Sequence, residues 1–263
     1  MEKYDIKFKK RFGQNFINNK AIIDKIVSIN SDVSNSLVIE VGPGGGILTS
    51  SLAEKYKNVL AYEIDNSLSD ELNKRISSFS NVDIIYKDFL NADIASDISN
   101  YKYDKLYFVS NVPYYITSPI LMKLIDSNIK FNKITMMVQK EVGDRYSSKE
   151  GSKTYGAISV ILNYLFDVKK EFYVSKNNFT PKPKVDSVVI SFTPKDVDNN
   201  IDFNSFRRFI NDSFKHRRKT LKNNLSSYNL NKISSVLEEN GYSLNSRAEE
   251  ISLELFIKIF KSI

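Results

Sequence analysis

The sequence contains no cysteine and only one histidine, His216. Without cysteine the chain can form no disulfide, no cysteine-ligated zinc site, no iron–sulfur cluster and no thiol nucleophile. A single histidine nearly excludes a Ser-His-Asp triad and a histidine-rich metal site. We therefore expect chemistry that needs neither a metal ion nor an imidazole.

Long hydrophobic runs are also missing. Polar residues interrupt the longest apolar segments, such as 157–162, well short of the ~20 residues that a membrane span requires. The first residues show neither the apolar core nor the cleavage site of a secretory signal, so we expect a cytoplasmic protein. The length of 263 residues, with 41% hydrophobic and 26% charged residues, predicts a folded protein of one or two domains.

Basic residues outnumber acidic ones, and the formal net charge is +7. Lysine and arginine concentrate in two runs, residues 1–11 and 207–222. Either run alone is compatible with a solvated helix face. Together they favour binding to nucleic acid.

Short apolar runs alternate with helical patterns through the first half of the chain. The runs typical of buried strands are Leu37–Val41, Val59–Ile64, Val82–Tyr86, Lys105–Val109 and Ile134–Val138. Helical spacing is found there in residues 18–30, 47–56, 67–78, 118–126 and 140–147, and later in the chain in 155–166, 230–240 and 252–263. This alternation predicts an α/β fold with a doubly wound, Rossmann-like parallel sheet.

The pattern changes in the second half. Residues 167–175 and 185–193 alternate between polar and apolar side chains, which predicts an antiparallel hairpin at the sheet edge. A polar segment, 194–202, then precedes purely helical patterns. We therefore predict a first domain over 1–194 and a small all-α C-terminal domain over 195–263.

Three strand ends carry residues suited to an adenosine ligand. Glycines 42, 44 and 46 follow the first strand and let the backbone approach a ligand at a helix N-terminus. Glu63 ends the second strand, where a carboxylate binds ribose hydroxyls, and Asp88 follows the third, where it can accept from an adenine amine. A nicotinamide-dependent dehydrogenase would share the glycines and Glu63, and that alternative remains open at this point.

The fourth strand ends in Asn111-Val-Pro-Tyr114. This tetrapeptide resembles the box of S-adenosylmethionine-dependent amino-methyltransferases, in the form found in enzymes that methylate adenosine N6 in ribosomal RNA. The resemblance implies a class I methyltransferase fold and S-adenosylmethionine as cofactor. The Asn111 side-chain oxygen and the Pro113 carbonyl can accept hydrogen bonds from the target amine, while Tyr114 can stack on the base.

Two further segments extend the resemblance to the ribosomal RNA adenine N6,N6-dimethyltransferase family. Residues 11–17 are similar to the family's N-terminal box, which implies that Asn15 and Ile17 border the cofactor. Residues 179–187 match its Phe-x-Pro-x-Pro-x-Val-x-Ser box, which implies that Phe179 lies across the target base from Tyr114. The implied cofactor-binding set is Asn15, Ile17, Gly42, Gly44, Glu63, Asp88 and Asn111.

A basic segment separates the branches of this family. Residues 217–221, Arg-Arg-Lys-Thr-Leu, resemble the C-terminal domain of the branch that dimethylates two adjacent adenosines near the 3′ end of small-subunit (16S) rRNA. The resemblance implies an immature 30S subunit as partner, and the implied RNA-contacting residues are Arg145, Arg217, Arg218 and Lys219. From charge we expect a monomer. The alternatives are an Erm-type methyltransferase of large-subunit (23S) rRNA and a ribosome-assembly factor with a vestigial pocket.

Overall fold

The computed structural model describes residues 16–17 and 19–263, and the chain divides into two compact units. The first unit contains the chain up to Lys140 together with residues 169–193, and the second contains 141–168 and 194–263. The predicted first domain ends at residue 194, next to the point after residue 193 where the chain passes from the first unit to the second. It differs from the observed division in including 141–168, whose buried side chains join the core of the C-terminal helices.

A seven-stranded sheet dominates the first unit. The strands of the described chain are β1 Phe16–Ile17, β2 Ser36–Val41, β3 Asn58–Glu63, β4 Val82–Tyr86, β5 Lys105–Asn111, β6 Lys133–Gln139, β7 Phe166–Val174, β8 Phe179–Thr180 and β9 Ser187–Pro194. The sheet order is β4-β3-β2-β5-β6-β9-β7, with parallel pairing from β4 to β6 and antiparallel pairing of β6 with β9. The predicted Rossmann-like sheet with an antiparallel edge is confirmed.

Strands β1 and β8 form a separate two-stranded sheet that the sequence did not predict. Phe16 pairs with Thr180, and Ile17 pairs with Phe179, in antiparallel register. Strands of two residues are too short to show an alternation of polar and apolar side chains, so the hydrophobic pattern could not predict them.

The helices of the first unit match the predicted segments, except for the one over 94–98, which the sequence did not predict. They are α1 Lys20–Val27, α2 Ile47–Lys55, α3 Ser69–Ile76, α4 Ile94–Ile98 and α5 Thr117–Asp126, and α6 Lys140–Tyr146 begins at the last residue before the chain crosses to the second unit. Every residue of β2 is buried, as expected for a strand covered on both faces.

The second unit is helical apart from the start of β7. Its helices, besides most of α6, are α7 Ala157–Leu165, α8 Phe203–Ser213, α9 Leu221–Asn224, α10 Leu230–Glu239 and α11 Leu253–Ser262. Its core is rich in aromatic rings, such as Phe206 and Phe260, whose centroids lie 5.3 Å apart in an edge-to-face arrangement. The predicted all-α C-terminal region is confirmed. Across both described ranges of the chain, no helix is long and apolar enough to cross a membrane.

Successive strands are added to the sheet on one side of β2 first and then on its other side. Strand β2 lies between β3 and β5, so the connections leaving β2 and β5 run to opposite sides. In open parallel sheets ligands bind at such a point, beyond the carboxyl ends of the strands. The predicted functional residues after β2, β3, β4 and β5 lie at this edge.

Candidate active site

The turn after β2 depends on its glycines. Gly42, Gly44 and Gly46 have φ angles of +72°, +56° and +77°, in the left-handed region that other residues rarely adopt. A Cβ atom on Gly44 would lie 2.2 Å from Cε1 of Phe16, so a side chain there would also collide with a packed ring. The turn therefore brings bare backbone to the edge of the sheet, directly before α2 begins.

Glu63, the last residue of β3, is held against this turn by two backbone donors. Its Oε2 accepts from the Gly44 N–H at 3.1 Å, and its Oε1 accepts from the Asp65 N–H at 2.8 Å. The side chain is 4% exposed, and burial raises the pKa of the carboxyl above its ordinary value although both N–H groups oppose this. The carboxylate is thus fixed in position and keeps lone pairs for a ligand.

Asp88 follows β4 and caps the short turn after it. Its Oδ1 accepts from the Leu90 N–H at 2.9 Å, and its Oδ2 lies 3.4 Å from Nδ2 of Asn91. The next residue, Phe89, is buried and packs edge-to-face on Tyr62 with 5.1 Å between ring centroids. This packing fixes the backbone from which Asp88 projects.

The Asn-Val-Pro-Tyr segment lies where β5 ends. Asn111 is the last residue of that strand and pairs with Met137 of β6. The Pro113 carbonyl accepts from the Ile116 N–H at 3.1 Å, so the turn itself uses one lone pair of the predicted acceptor. The Tyr114 hydroxyl lies 2.6 Å from Oγ of Ser187.

These segments line one cavity of about 160 Å³. The sequence-predicted residues found in its wall are Ile17, Gly42, Gly44, Glu63, Asp88, Asn111, Pro113 and Tyr114. Asn15 lies outside the described residues. Phe179 does not line the cavity: it is 4% exposed and belongs to the hydrophobic core, where it pairs with Ile17. Its predicted contact with the target base stays a prediction.

Among the cavity-wall residues that sequence reasoning missed, three stand out: Glu40, Ile64 and Tyr115. Ile64 and Tyr115 are 44% and 56% exposed, which is unusual for large apolar side chains. Both follow residues that the motifs had singled out. The available signal was their place beyond strand ends, since Ile64 directly follows β3 and Tyr115 lies in the turn after β5.

Glu40 is the most unusual of the three because it is a carboxyl group inside an apolar strand. It is 1% exposed, and its Oε2 has no hydrogen-bond partner among the described residues. Burial, reinforced by the neighbouring Glu63, raises its pKa to about 8. A buried acceptor without a donor is costly, so a ligand that supplies a donor or a positive charge would be favoured here.

The acceptor groups that line the cavity fit S-adenosylmethionine. Glu63 and Asp88 suit the ribose hydroxyls and the adenine amine, and Glu40 offers an unpartnered buried oxygen to a cationic cofactor. The glycine turn allows the ligand to approach the backbone. Fold and site together define a Rossmann-like methyltransferase whose cofactor is S-adenosylmethionine, which supplies an activated methyl group when bound.

The predicted RNA-contacting residues all belong to the second unit. Arg145, Arg217, Arg218 and Lys219 are exposed. The guanidinium of Arg217 donates to the Lys153 carbonyl at 2.9 Å. Arg145 lies in α6, whereas Arg217, Arg218 and Lys219 lie in the loop before α9, and this hydrogen bond joins that loop to another segment of the same unit.

Asn224 stabilises the loop that contains Arg217, Arg218 and Lys219 through two hydrogen bonds. This side chain is 8% exposed, its Nδ2 donates to the Ser213 carbonyl at 2.7 Å, and its Oδ1 accepts from the His216 N–H at 3.2 Å. Among residues 16–17 and 19–263, no group of histidine and acidic side chains is arranged to hold a metal ion.

Comparison with known proteins gives the family. The family model described as "Ribosomal RNA adenine dimethylase" matches residues 5–263. "Ribosomal RNA small subunit methyltransferase A" of Thermotoga petrophila is 41% identical over 261 residues, which cover 99% of this chain and 94% of that protein. The protein of the same name from Streptococcus pneumoniae (strain P1031) is 40% identical over 269 residues, covering 98% of this chain and 93% of the relative.

Solved structures agree with this result. A dimethyladenosine transferase from Plasmodium falciparum superposes with a TM-score of 0.76 at 25% identity, over 92% of this chain and 95% of the other. The 23S rRNA methyltransferase ErmE shares the fold, with a TM-score of 0.74 at 23% identity, over 94% of this chain and 98% of the other. The chain belongs to the ribosomal RNA adenine dimethylase family and is an S-adenosylmethionine-dependent rRNA adenine dimethyltransferase.

Proposed function

We propose that this enzyme dimethylates N6 of two adjacent adenosines near the 3′ end of 16S rRNA, as a step of small-subunit biogenesis. The observation that carries the proposal is the meeting of Asn111–Tyr114 with Glu63 and Asp88 around one cavity. The relatives at about 40% identity over nearly the full chain, whose names specify the small ribosomal subunit, favour this substrate. The partner is then small-subunit rRNA within an immature 30S subunit, met by a monomer in the cytoplasm.

In this function the protein's task is to position the amine. The lone pair of adenine N6 is delocalised into the ring, which makes the nitrogen a poor nucleophile. Acceptors on Asn111 and Pro113 would bond the amino hydrogens and favour a pyramidal nitrogen, and Tyr114 would stack on the base. Phe179 is assigned the opposite face of the base by its sequence box. In the structure Phe179 is buried in the core and does not line the cavity, so this assignment rests on the sequence box alone.

The leaving group needs no further help because the sulfonium of the cofactor is already positively charged. No histidine, cysteine or metal is required, in agreement with the composition. The residues that would hold the cofactor are Ile17, Gly42, Gly44, Glu63, Asp88, Asn111 and, by resemblance, Asn15. Arg145, Arg217, Arg218 and Lys219 would meet RNA phosphates.

The test is methyl transfer from radiolabelled S-adenosylmethionine to unmethylated small and large ribosomal subunits in parallel, followed by nucleoside analysis. We expect dimethyladenosine in small-subunit RNA alone. Label in large-subunit RNA would instead identify an Erm-type specificity. Cofactor binding without any transfer would identify an assembly factor with a vestigial pocket.

A second test uses the variant Tyr114→Ala, which removes the ring assigned to the base. We expect this variant to lose turnover while its affinity for S-adenosylmethionine changes little, because the ring is assigned to the base and most residues assigned to the cofactor lie on other segments. Full activity of the variant would remove Tyr114 from the site.

A further inference from the structure

The hydroxyl of Tyr114 makes a hydrogen bond that the reaction itself does not require. It lies 2.6 Å from Oγ of Ser187, and Ser187 is completely buried. Stacking on a base needs only the tyrosine ring, so a phenylalanine would serve equally well for that purpose. The hydroxyl must therefore have another use, and its partner lies 73 residues further along the chain.

Ser187 is the last residue of the Phe-x-Pro-x-Pro-x-Val-x-Ser box and the first residue of β9. It pairs with Gln139 at the end of β6, in a strand whose neighbours are fixed on both sides. Its buried place in the sheet gives the hydroxyl a fixed position.

The residue before it is tied down as well. The Asp186 carbonyl accepts from the Lys140 N–H at 2.9 Å, and its carboxylate Oδ1 accepts from the Lys176 N–H at 2.9 Å. Asp186 thus joins the start of α6, directly after β6, to the loop that precedes β8. Ser187 is consequently held by the sheet on one side and by this loop on the other.

We propose that Ser187 is a positioning residue for the methyl transfer: through its hydrogen bond it fixes the Tyr114 ring at the angle that receives the target adenine. The turn that carries Tyr114 is partly exposed and is closed by the Ile116 N–H on the Pro113 carbonyl, whereas the bond to Ser187 joins the tyrosine side chain to the buried sheet. This inference rests on the proposed function, in which Tyr114 stacks on the base.

The same strand offers a matched control. Ser191 is 2% exposed and donates a 2.7 Å hydrogen bond to Oε1 of Glu171, away from the cavity wall. Ser187→Ala and Ser191→Ala each delete one buried hydroxyl from β9. Only the first removes a partner of Tyr114.

The experiment measures kcat and KM for methyl transfer to small subunits with Ser187→Ala, Tyr114→Phe, the double variant and Ser191→Ala. We expect each of the first two to lower kcat about tenfold, the loss that corresponds to ~1.4 kcal/mol of positioning, with little change in KM for S-adenosylmethionine. The double variant should be no slower than either single one, because both remove the same bond. Ser191→Ala should retain kcat.

Additive losses, or a Ser187→Ala variant with the kcat of the wild type, would overturn the inference. If Ser187→Ala fails to fold, Tyr114→Phe decides alone, since it removes the bond from the other side and a kcat equal to wild type would exclude the role. Inactivity of the wild type on small subunits would count against the proposed function instead.

A spectroscopic readout keeps the two failures apart. In protein labelled with ¹³Cζ-tyrosine, the Tyr114 resonance is identified by its disappearance in Tyr114→Phe. We expect it to shift in Ser187→Ala and to stay in place in Ser191→Ala, whatever the RNA substrate. No shift in Ser187→Ala would show that the hydrogen bond is not formed in solution.

Discussion

The close approach of Gly44 to Phe16 leads to a quantitative prediction for Gly44→Ala. The added Cβ would lie 2.2 Å from Cε1 and 2.9 Å from Cδ1 of Phe16, and the residue would have to hold a φ of +56°. The left-handed backbone costs about 1–2 kcal/mol for a residue with a Cβ, and overpacking adds about 1–3 kcal/mol. We therefore expect a loss of about 2–5 kcal/mol in the free energy of unfolding.

Gly151→Ala separates the two contributions. Gly151 has a φ of +78°, but a Cβ there would meet nothing within 4 Å. Its replacement should cost only the backbone term of about 1–2 kcal/mol. Urea unfolding of both variants, without cofactor, then isolates the steric term as the difference between them.

Cofactor affinity provides the second assay. The Gly44 N–H donates to Oε2 of Glu63, so a shift of the turn also displaces the predicted ribose ligand. We expect titration calorimetry to show S-adenosylmethionine affinity reduced at least about tenfold in Gly44→Ala, equivalent to 1.4 kcal/mol, and unchanged in Gly151→Ala. Equal unfolding free energies for the two variants, together with wild-type affinity for Gly44→Ala, would refute the reasoning.

Three further predictions concern charge. Glu63→Gln should weaken S-adenosylmethionine binding about tenfold or more by calorimetry, because the amide replaces one of two acceptors of backbone N–H groups and so loses charge-assisted bonds; unchanged affinity would remove Glu63 from the cofactor site. The folded-state pKa of Glu40 is raised from 4.5 to about 8, so its contribution to the free energy of unfolding is favourable at low pH. This contribution is lost as pH rises between these two values, by about 1.4 kcal/mol per pH unit. Urea unfolding of the cofactor-free protein at pH 5 and pH 8 should therefore show a smaller decline for Glu40→Gln than for the wild type, and equal declines would contradict the assignment. Replacing Arg217 and Arg218 together by alanine should lower RNA affinity and reduce the slope of log K against log salt by roughly 1.4–1.8, whereas an unchanged slope would mean that these side chains do not meet phosphates.

The sequence predicted those parts of the fold and site that follow from local pattern. Strand β2 was evident because it is buried on both faces and therefore almost wholly apolar. The glycines were evident because three left-handed positions in one turn leave little choice of residue. Glu63 and Asp88 were found because strand ends in a parallel sheet meet at one edge.

The features that the sequence missed depend on contacts between distant segments. The periodicity of α7 shows that it has an apolar face, but not that this face packs with the C-terminal helices. Glu40 is visible in the sequence as a carboxyl within an apolar strand, but its raised pKa comes from burial in the folded protein, to which the nearby Glu63 adds. The resemblance related the two boxes through Phe179 and Tyr114, but the hydrogen bond of Tyr114 with Ser187 became visible only in the structure.

The small β1–β8 sheet links the cofactor side of the cavity to the side assigned to the base. Phe16 packs against Gly44 of the cofactor turn, and Ile17, which lines the cavity, pairs with Phe179. From Phe179 the chain runs within eight residues to Ser187 and hence to Tyr114. The segments assigned to the two substrates therefore share one support, so a change in the β1–β8 pairing must disturb both cofactor affinity and the placement of the Tyr114 ring. This common support gives a physical reason why the N-terminal box and the Phe-x-Pro-x-Pro-x-Val-x-Ser box occur in one chain with the Asn-Val-Pro-Tyr motif.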